Sequence, residues 1–213
     1  MNKTLAGYGL ILSLLSTSAL AEGMAGISLG QALYDDEALA AYALGSNDLS
    51  TSYKIYGGAA LGSHLSAHAG LFSLGKQTAE TRHEIEVDLG NGMTEIQSYT
   101  SSSARIAVSG FFLEGRWQWR AGEAWRPYAK LGAALATSKT RTFIAGAGYS
   151  SASLEEDRSS FSFVPGLGLV WESLHHWGLQ FEAESYLKVK AAENSSIPDQ
   201  NINNASLGIY GYW

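Results

Sequence analysis

The sequence contains no cysteine and only three prolines among its 213 residues. Without cysteine the chain forms no disulfide, offers no thiolate nucleophile and builds no cysteine-ligated zinc site. The low proline content, together with 24 glycines, is typical of a chain with many strands and turns rather than of a disordered one. Stability must therefore come from a folded framework without covalent crosslinks.

Basic residues are also scarce, with 14 Lys and Arg against 20 Asp and Glu and a net charge of −6. A nucleic-acid-binding domain would need a basic patch, so we expect no nucleic-acid partner. Long apolar runs are missing as well. Spanning a bilayer as a helix takes about 20 consecutive apolar residues, and no stretch after residue 21 is continuously apolar for that length. We therefore expect no helical membrane anchor in the mature chain.

The first 21 residues have the features of a secretory leader. Lys3 provides a positive start, Leu5 to Leu15 form an apolar run, and Ala19-Leu20-Ala21 reads as a small-residue cleavage site. We predict that residues 1–21 are a cleaved signal peptide and that residues 22–213 form a single domain. An exported domain without disulfides can satisfy its backbone as a closed barrel in lipid.

Alternating apolar and polar residues recur along the mature chain and predict eight strands. We place them at approximately 24–34, 52–61, 65–75, 104–119, 126–138, 159–172, 177–188 and 204–213. Short connections follow every second strand, at 62–64, 120–125 and 173–176, whereas the other connections run to about 14 to 28 residues. This pattern predicts an all-β fold, an eight-stranded antiparallel transmembrane β-barrel with short periplasmic turns, long extracellular loops and both termini in the periplasm.

Charged residues on the predicted strands fall on the face opposite the apolar one. In the segment from Leu179 to Leu187, for example, Glu182 and Glu184 alternate with apolar residues. A charge facing lipid near the midplane is costly, so this face must point into the barrel. The predicted lumen charge network has three bases and three acids: Lys54, Arg116, Lys130, Glu114, Glu182 and Glu184.

Buried charges persist only when they are paired, so the network is expected to be balanced. We expect the network to plug the barrel. The alternative is that it also gates a narrow conduction path. Arg105 and Lys188 lie near the outer strand ends, and we expect them at most to border the lumen. Pro165 has no N–H to donate to a neighbouring strand, which predicts a bulge or irregularity there.

All six tryptophans fall near the short turns. An amphipathic indole ring prefers the membrane–water interface, so the tryptophans predict an aromatic girdle on the periplasmic side. Core tryptophans of a soluble exported β-sandwich are the alternative. That alternative leaves the one-sided distribution unexplained.

Three stretches connect the chain to a known group of proteins. They are the strand Tyr53-Lys54-Ile55-Tyr56-Gly57-Gly58, the strand with Glu114 and Arg116, and the terminal Gly208-Ile209-Tyr210-Gly211-Tyr212-Trp213. The chain resembles the small eight-stranded outer-membrane barrels of the OmpA-like and OmpX/Ail-like group. The resemblance implies a Gram-negative outer-membrane location and an assembly signal, read by the barrel-assembly machinery, at Leu207, Ile209, Tyr212 and Trp213. Family members commonly end in Phe, so Trp213 is a departure.

The connection after the third predicted strand contains a second candidate site. Acidic and apolar residues alternate there on both sides of Asn91-Gly92, a strong hairpin signal. We predict that this hairpin, with Glu84, Glu86, Asp88, Asn91 and Gly92, lengthens the flanking strands beyond the membrane. Its edge could then pair with a partner strand. A ten-stranded barrel, with Asn91-Gly92 turned into the periplasm, is an alternative.

Together these features predict a non-enzymatic barrel with a structural or adhesion-like surface role, without a cofactor or metal. The expected partners are outer-membrane lipid and lipopolysaccharide, the barrel-assembly machinery and a host or neighbouring-cell surface protein. The first alternative is a small ion or solute channel that uses the inner charges. The second is a lipid-modifying barrel enzyme, for which His64 and Ser66 offer only a common spacing at a periplasmic turn.

Overall fold

The computed structural model describes residues 23–35, 45–47, 49–88, 94–119, 125–146, 149–172, 176–190 and 199–213. Its strands are β1 (Gly23–Tyr34), β2 (Gly45–Asn47), β3 (Leu49–Ala60), β4 (Leu65–Asp88), β5 (Thr94–Gln118), β6 (Trp125–Gly146), β7 (Tyr149–Glu172), β8 (Trp177–Val189) and β9 (Gln200–Tyr212). Within these ranges no helix is long and apolar enough to cross a membrane.

Eight of the strands close into an antiparallel barrel. Each long strand pairs with its neighbour along the chain, β1 pairs with β9, and the β4–β5 pairing completes the ring. At the seam, the backbone N–H and C=O of Trp213 both bond to Gly23, at 3.0 Å each. The predicted eight-stranded all-β barrel is confirmed. The ten-stranded alternative is wrong, because β4 and β5 stay paired with each other up to Asp88 and Thr94.

The barrel has two ends, which we name by their connections. The turn end is the one at which Gly23, Leu61 and Trp213 lie, and the hairpin end is the opposite one. Five of the six tryptophans are exposed around the turn end, at Trp117, Trp119, Trp125, Trp177 and Trp213. The rings of Trp171 and Trp177 meet edge to face with centroids 5.3 Å apart.

The barrel is apolar on the outside between its two ends. Outward residues such as Ile27, Leu131, Phe161 and Leu167 are about half exposed or more. Because successive side chains of a strand point to opposite faces, the alternate positions fill the interior. The interior has two layers. A charged and polar layer lies toward the turn end, and an apolar layer lies toward the hairpin end.

The apolar layer fills the lumen with packed side chains. The ring of Phe72 on β4 meets the ring of Tyr186 on β8 with centroids 4.8 Å apart. Since these strands lie on different sides of the ring of strands, the contact crosses the lumen. The buried apolar side chains around it are Leu74, Ile106, Val108, Phe112, Ala134, Ala136, Val164, Val189 and Ile202. Among the described residues, this layer contains no buried charged side chain, and the polar side chains of Gln77, Ser138 and Thr140 are buried beside Ile106 and Val108.

Two hairpins continue beyond the apolar band at the hairpin end. The β4–β5 ladder reaches Asp88 and Thr94, which agrees with the predicted lengthening of these strands. The predicted ends of the next two strands, at 138 and 159, are wrong, because β6 and β7 remain paired to Gly146 and Tyr149. The alternation of apolar and polar residues stops near 138, since the outer face there carries Lys139 and Arg141 and no longer contrasts with the inner face.

The described ladders contain four register shifts, two of them in the outer parts of the hairpins at Ile85/Glu86 and Ile144/Gly146, and one interruption. Gly75 has a φ of 75° at a register shift between β4 and β5, and a Cβ there would lie 2.1 Å from Ser50 Oγ. Lys188 has a φ of 57° at a shift between β8 and β9. At Pro165 the register with β6 and β8 does not shift, but the β7–β8 ladder is interrupted between Phe163 and Gly166. The missing proline N–H explains the interruption, so the predicted irregularity is present without a bulge.

Candidate functional site: the lumen charge network

The six predicted lumen charges lie on four different strands and meet inside the barrel. They come from β3, β5, β6 and β8, and each residue is at most 4% exposed: Lys54, Glu114, Arg116, Lys130, Glu182 and Glu184. Their strands bring them together because inward positions at similar heights face each other across a narrow lumen. The charges balance, as burial requires.

Lys130 contacts all three acids. Its ammonium group lies 2.9 Å from Glu114 and 2.8 Å from Glu182, and it also donates to Glu184. Lys54 bonds the same two acids of β8, at 2.5 Å to Glu182 and 2.9 Å to Glu184. Each ammonium offers three N–H donors, and all three acids of the network are used more than once. The six groups therefore form one connected cluster.

Arg116 forms the third basic centre. Its guanidinium lies 2.8 Å from Glu114 and 3.3 Å from Glu182, and Nη1 donates to the Gln180 carboxamide at 2.8 Å. It also lies over the Tyr56 and Tyr128 rings, with centroids 5.4 and 5.0 Å away. The two rings enclose a planar cation from the sides while the carboxylates bond to it, which suits arginine better than lysine.

Two glycines on β7 allow side chains of β6 to reach β8. Lys130 pairs in register with Gly166, which pairs with Glu184; one row along, Tyr128 pairs with Gly168, which pairs with Glu182. A Cβ on Gly166 would lie 2.7 Å from Lys130 Cε, and one on Gly168 would lie 2.3 Å from Tyr128 Cζ. The glycines thus provide the space through which β6 bonds to β8.

Four neutral side chains that the sequence did not single out complete the network. The Tyr128 hydroxyl donates to Glu182 at 2.8 Å, the Tyr186 hydroxyl to Glu184 at 3.1 Å and the Asn204 amide to Glu184 at 2.9 Å. Gln180, described above, accepts from Arg116. Because residues two apart on a strand share a face, these side chains occupy inward positions like those of the charged residues. This alternation is the sequence signal that could have identified them. Tyrosine and asparagine also occur outside such clusters, so parity alone did not distinguish them.

The arrangement can hold the barrel walls together, because its ion pairs join β3, β5, β6 and β8. Ser66 Oγ and His68 Nε2 are 2.9 Å apart inside the barrel, whereas His64 lies outside, where it bonds the Gln118 carbonyl and stacks on Trp117. The His64 and Ser66 pair therefore does not come together. Over the described ranges, no cluster of three or more His, Cys, Asp or Glu residues could hold a metal ion.

The other predicted sites lie elsewhere. Leu207, Ile209 and Trp213 point outward on or just after β9, and Tyr212 is half-buried. Glu84, Glu86 and Asp88 lie on the extended part of β4, while Asn91 and Gly92 lie outside the described residues.

The sequence matches a model of a known protein family. The family described as the OmpA-like transmembrane domain matches residues 19–211, which is most of the chain. The chain belongs to this family. The OmpA-like chain is thus an integral, multi-pass protein of the bacterial outer membrane, and the predicted resemblance is confirmed. A search of curated protein sequences found no match.

Solved structures share the barrel at low identity with the OmpA-like chain. Neisserial surface protein A is 12% identical, with 90% of this chain and 97% of that chain covered and a TM-score of 0.53. Ail of Yersinia pestis, solved with the heparin analogue sucrose octasulfate, is 15% identical over 91% and 99%, with a TM-score of 0.41. The N-terminal barrel of Pseudomonas aeruginosa OprF is 10% identical over 91% and 99%, with a TM-score of 0.47. At these identities, the likeness to the Neisserial protein shows the fold alone.

Proposed function

We propose that this outer-membrane barrel is a non-enzymatic structural and surface-interaction protein, with its hairpin end outside the cell and both termini in the periplasm. The observation that carries the proposal is the sheet that the strands build beyond the apolar band. In it, β4 pairs with β5 up to Asp88, β5 with β6 up to Gly146, and β6 with β7 up to Tyr149. β2 adds a short fifth strand against residues 78–80.

This sheet has an open edge on β7. The β7–β8 ladder begins at Phe163 and Leu187, so residues 149–159 of β7 have no strand partner on that side among the described residues. At its base, Ser162 donates to the Leu187 carbonyl and Ser160 accepts from the Lys190 N–H. An open edge is a template for an incoming strand.

Charge limits the kind of partner. The connections predicted to lie outside are rich in acidic residues, including Glu84, Glu86 and Asp88. A polyanion would be repelled over roughly 8 Å at physiological salt. A basic protein surface of a host or a neighbouring cell fits the acidic hairpins better.

A cysteine-labelling experiment tests the orientation. The chain has no cysteine, so Asn91→Cys introduces a single thiol in the hairpin and Ser63→Cys a single thiol in a short turn. We expect a membrane-impermeant maleimide to label Asn91→Cys in intact cells and Ser63→Cys only after the outer membrane is opened. The reverse pattern would refute the proposed orientation.

Adhesion assays test the surface role. Cells that produce the chain are compared with cells that produce a variant in which a two-residue turn replaces residues 83–96. We expect the shortened variant to keep its heat-shift on a denaturing gel but to lose binding to epithelial monolayers and to sister cells. A second variant shortens residues 144–151 instead, and we expect it to weaken binding as well because it removes part of the open β7 edge. Undiminished binding by both variants would refute the surface role of the hairpins.

A small channel is the second candidate, and the charge network is the observation in its favour. The apolar layer between the network and the hairpin end weighs against it, because a hydrophobic constriction excludes water and ions. The test is single-channel conductance of the refolded protein in a planar bilayer. We expect silence from folded barrels. Discrete steps altered by Lys130→Ala or Glu182→Ala would support the channel instead.

A further inference from the structure

The outer wall formed by β8, β9 and β1 contains a groove. Its floor is a row of short side chains, in which Ala205 on β9 pairs with Ala183 on β8. The next row toward the turn end is bulky, because Leu29, Leu207 and Phe181 pair there and are all exposed on the outside. The step between the two rows leaves an open groove of about 750 Å³. Its outward lining includes Leu29, Gln31, Leu167, Ala183, Ala205 and Leu207.

Gln31 on β1 is the polar member of this groove. It pairs with Ala205 on one side and with Thr51 on the other, and it is exposed on the outer face. Its carboxamide forms no hydrogen bond with any residue in the described ranges. A carboxamide has two N–H donors and an oxygen acceptor, so a complete set of polar groups is available to a neighbouring molecule.

The height of Gln31 places it beside acyl chains rather than water. Gly23 on the same strand is bonded to Trp213 at the turn end. At about 3.4 Å per residue and a strand tilt of about 40°, Gln31 lies roughly 20 Å above that level, within an apolar band about 25 Å tall. Leu33 and Leu49, which pair with each other and are exposed, lie farther toward the hairpin end. The carboxamide is therefore inside the apolar band and not at its rim.

The wall of β5, β6 and β7 differs at the corresponding level. Leu135 pairs there with Phe111 on one side and Phe161 on the other, so the outward row is apolar. Polar outward residues on β5 begin only beyond this row, at Ser109 and Arg105, and both are exposed. Arg105 thus lies on the outer face, and the expectation that it borders the lumen is wrong. Lipid chains alone suit this second wall within the apolar band.

The groove and the carboxamide together favour a protein neighbour. An acyl chain fills an apolar groove but offers no hydrogen bond, and an unsatisfied polar group in hydrocarbon is costly. Contacts between proteins in membranes use small residues, which let two backbones approach, and Gln or Asn side chains, which bond across the contact. Asn203, one row nearer the hairpin end, accepts from Ser185 at 2.6 Å, and its amide N–H groups have no partner among the described residues.

A second copy of the chain fits this surface. Copies inserted in the same direction present the same groove at the same height, and a two-fold axis along the membrane normal joins identical surfaces. The carboxamide is self-complementary, because the N–H of one Gln31 can donate to the oxygen of the other. The short side chains of Ala183 and Ala205 allow the two walls to come close enough for this bond.

We propose that two copies of this chain associate side by side in the membrane through the β8–β9–β1 groove, with their Gln31 carboxamides hydrogen-bonded to each other across a two-fold axis. The alanine row forms the close contact between the two walls. The bulky row of Leu29, Leu207 and Phe181 packs around it on the turn side. The proposal does not depend on which end of the barrel is outside the cell, because both copies share one orientation.

Crosslinking in the outer membrane of cells tests which wall forms the contact. The chain has no cysteine, so Ala205→Cys introduces a single thiol in the groove and Leu131→Cys a single thiol on the outward face of β6. A short, membrane-permeant bis-maleimide is added to cells that produce either variant. We expect a dimer band for Ala205→Cys and none for Leu131→Cys, since only the first thiol lies near its counterpart.

Sedimentation equilibrium of the full refolded chain in density-matched micelles measures the dimer dissociation constant. We expect Gln31→Leu to raise this constant on the order of tenfold, because both copies lose their hydrogen bond. The variant should keep its heat-shift on a denaturing gel, since it only removes a polar group from the lipid-facing wall. The matched control, Ser109→Leu, makes a similar polar-to-leucine change on β5 and should associate like the wild type.

Three results would overturn the proposal. One is a wild-type chain that stays monomeric at every concentration, and another is equal crosslinking of the two cysteine variants. The third is a monomer that retains a lipid in native mass spectrometry and loses it in Ala205→Phe, because the groove would then hold an acyl chain. These outcomes concern the membrane-embedded wall alone, so they can fail while the cysteine-labelling and adhesion results stand, and the reverse also holds.

Discussion

Glu114 shows how a single carboxylate organises the lumen. It lies between Arg116 and Lys130, at 2.8 and 2.9 Å, and these two bases are themselves directly opposite each other on β5 and β6. Glu114→Gln keeps the shape but leaves more positive than negative charge in a buried cluster. We expect the free energy of unfolding to fall by about 3–5 kcal/mol, as for other buried pairs that lose one partner. Urea titration in detergent micelles measures it.

The matched control makes the same chemical change on the surface. Glu155→Gln breaks an exposed pair with Arg141, and exposed pairs contribute little because water and salt screen them. Its unfolding midpoint should stay close to that of the wild type. An equal shift in both variants would show that the substitution, rather than the network, causes the loss.

Gly168 tests the space through which β6 reaches β8. An alanine Cβ there would lie 2.3 Å from Tyr128 Cζ and 2.6 Å from the Phe181 carbonyl oxygen. Gly168→Ala must therefore displace the ring that donates to Glu182, and we expect about 1–3 kcal/mol of destabilisation from overpacking. Gly115→Ala is the control, because nothing lies within 4 Å of the corresponding Cβ. The same urea titration compares the two, and a neutral Gly168→Ala would show that Tyr128 can move freely.

The elements differ in how well the sequence predicted them. Within the membrane, the cost of a charge facing lipid forces strict alternation, so the inward placement of Lys54, Glu182 and Glu184 followed from parity alone. Beyond the apolar band that constraint disappears. β6 there carries Lys139 and Arg141 on its outer face, the contrast between the faces vanishes, and the strand extension was missed. The neutral residues that bond the acids are those at the same height along the barrel axis. A sequence pattern does not give this height, so these residues could not be predicted.

The open edge of β7 should be detectable in the rates at which its backbone amides exchange hydrogen with solvent. Among the described residues, 153–159 pair only with β6, whereas residues 166–171 pair with both β6 and β8. Alternate amides of the first segment should therefore exchange with solvent quickly, while both sets in the second segment exchange slowly. Hydrogen exchange followed by NMR in micelles distinguishes them. Uniform protection across 153–159 would mean that another segment already covers the edge.

At the scale of the whole molecule, the barrel combines a connected ionic layer with an apolar layer above it. The ionic layer ties β3, β5, β6 and β8 together across the lumen. The apolar layer excludes water from one side of it, which strengthens the ion pairs because the local dielectric falls. This ionic layer supports the proposed structural role, in which the barrel is a rigid base for the protruding sheet.

Closure of the whole ring depends on β1 and β9 meeting at the seam. Trp213 bonds Gly23 through its backbone, while its ring is exposed at the turn end. Trp213→Ala keeps the backbone bonds and removes the aromatic group that we predict the assembly machinery reads. We expect lower surface levels in cells, with an unchanged unfolding midpoint for the protein refolded in micelles. Trp213→Phe, which keeps an aromatic terminus, should restore surface levels. A lower midpoint with normal surface levels would instead assign the ring to barrel stability.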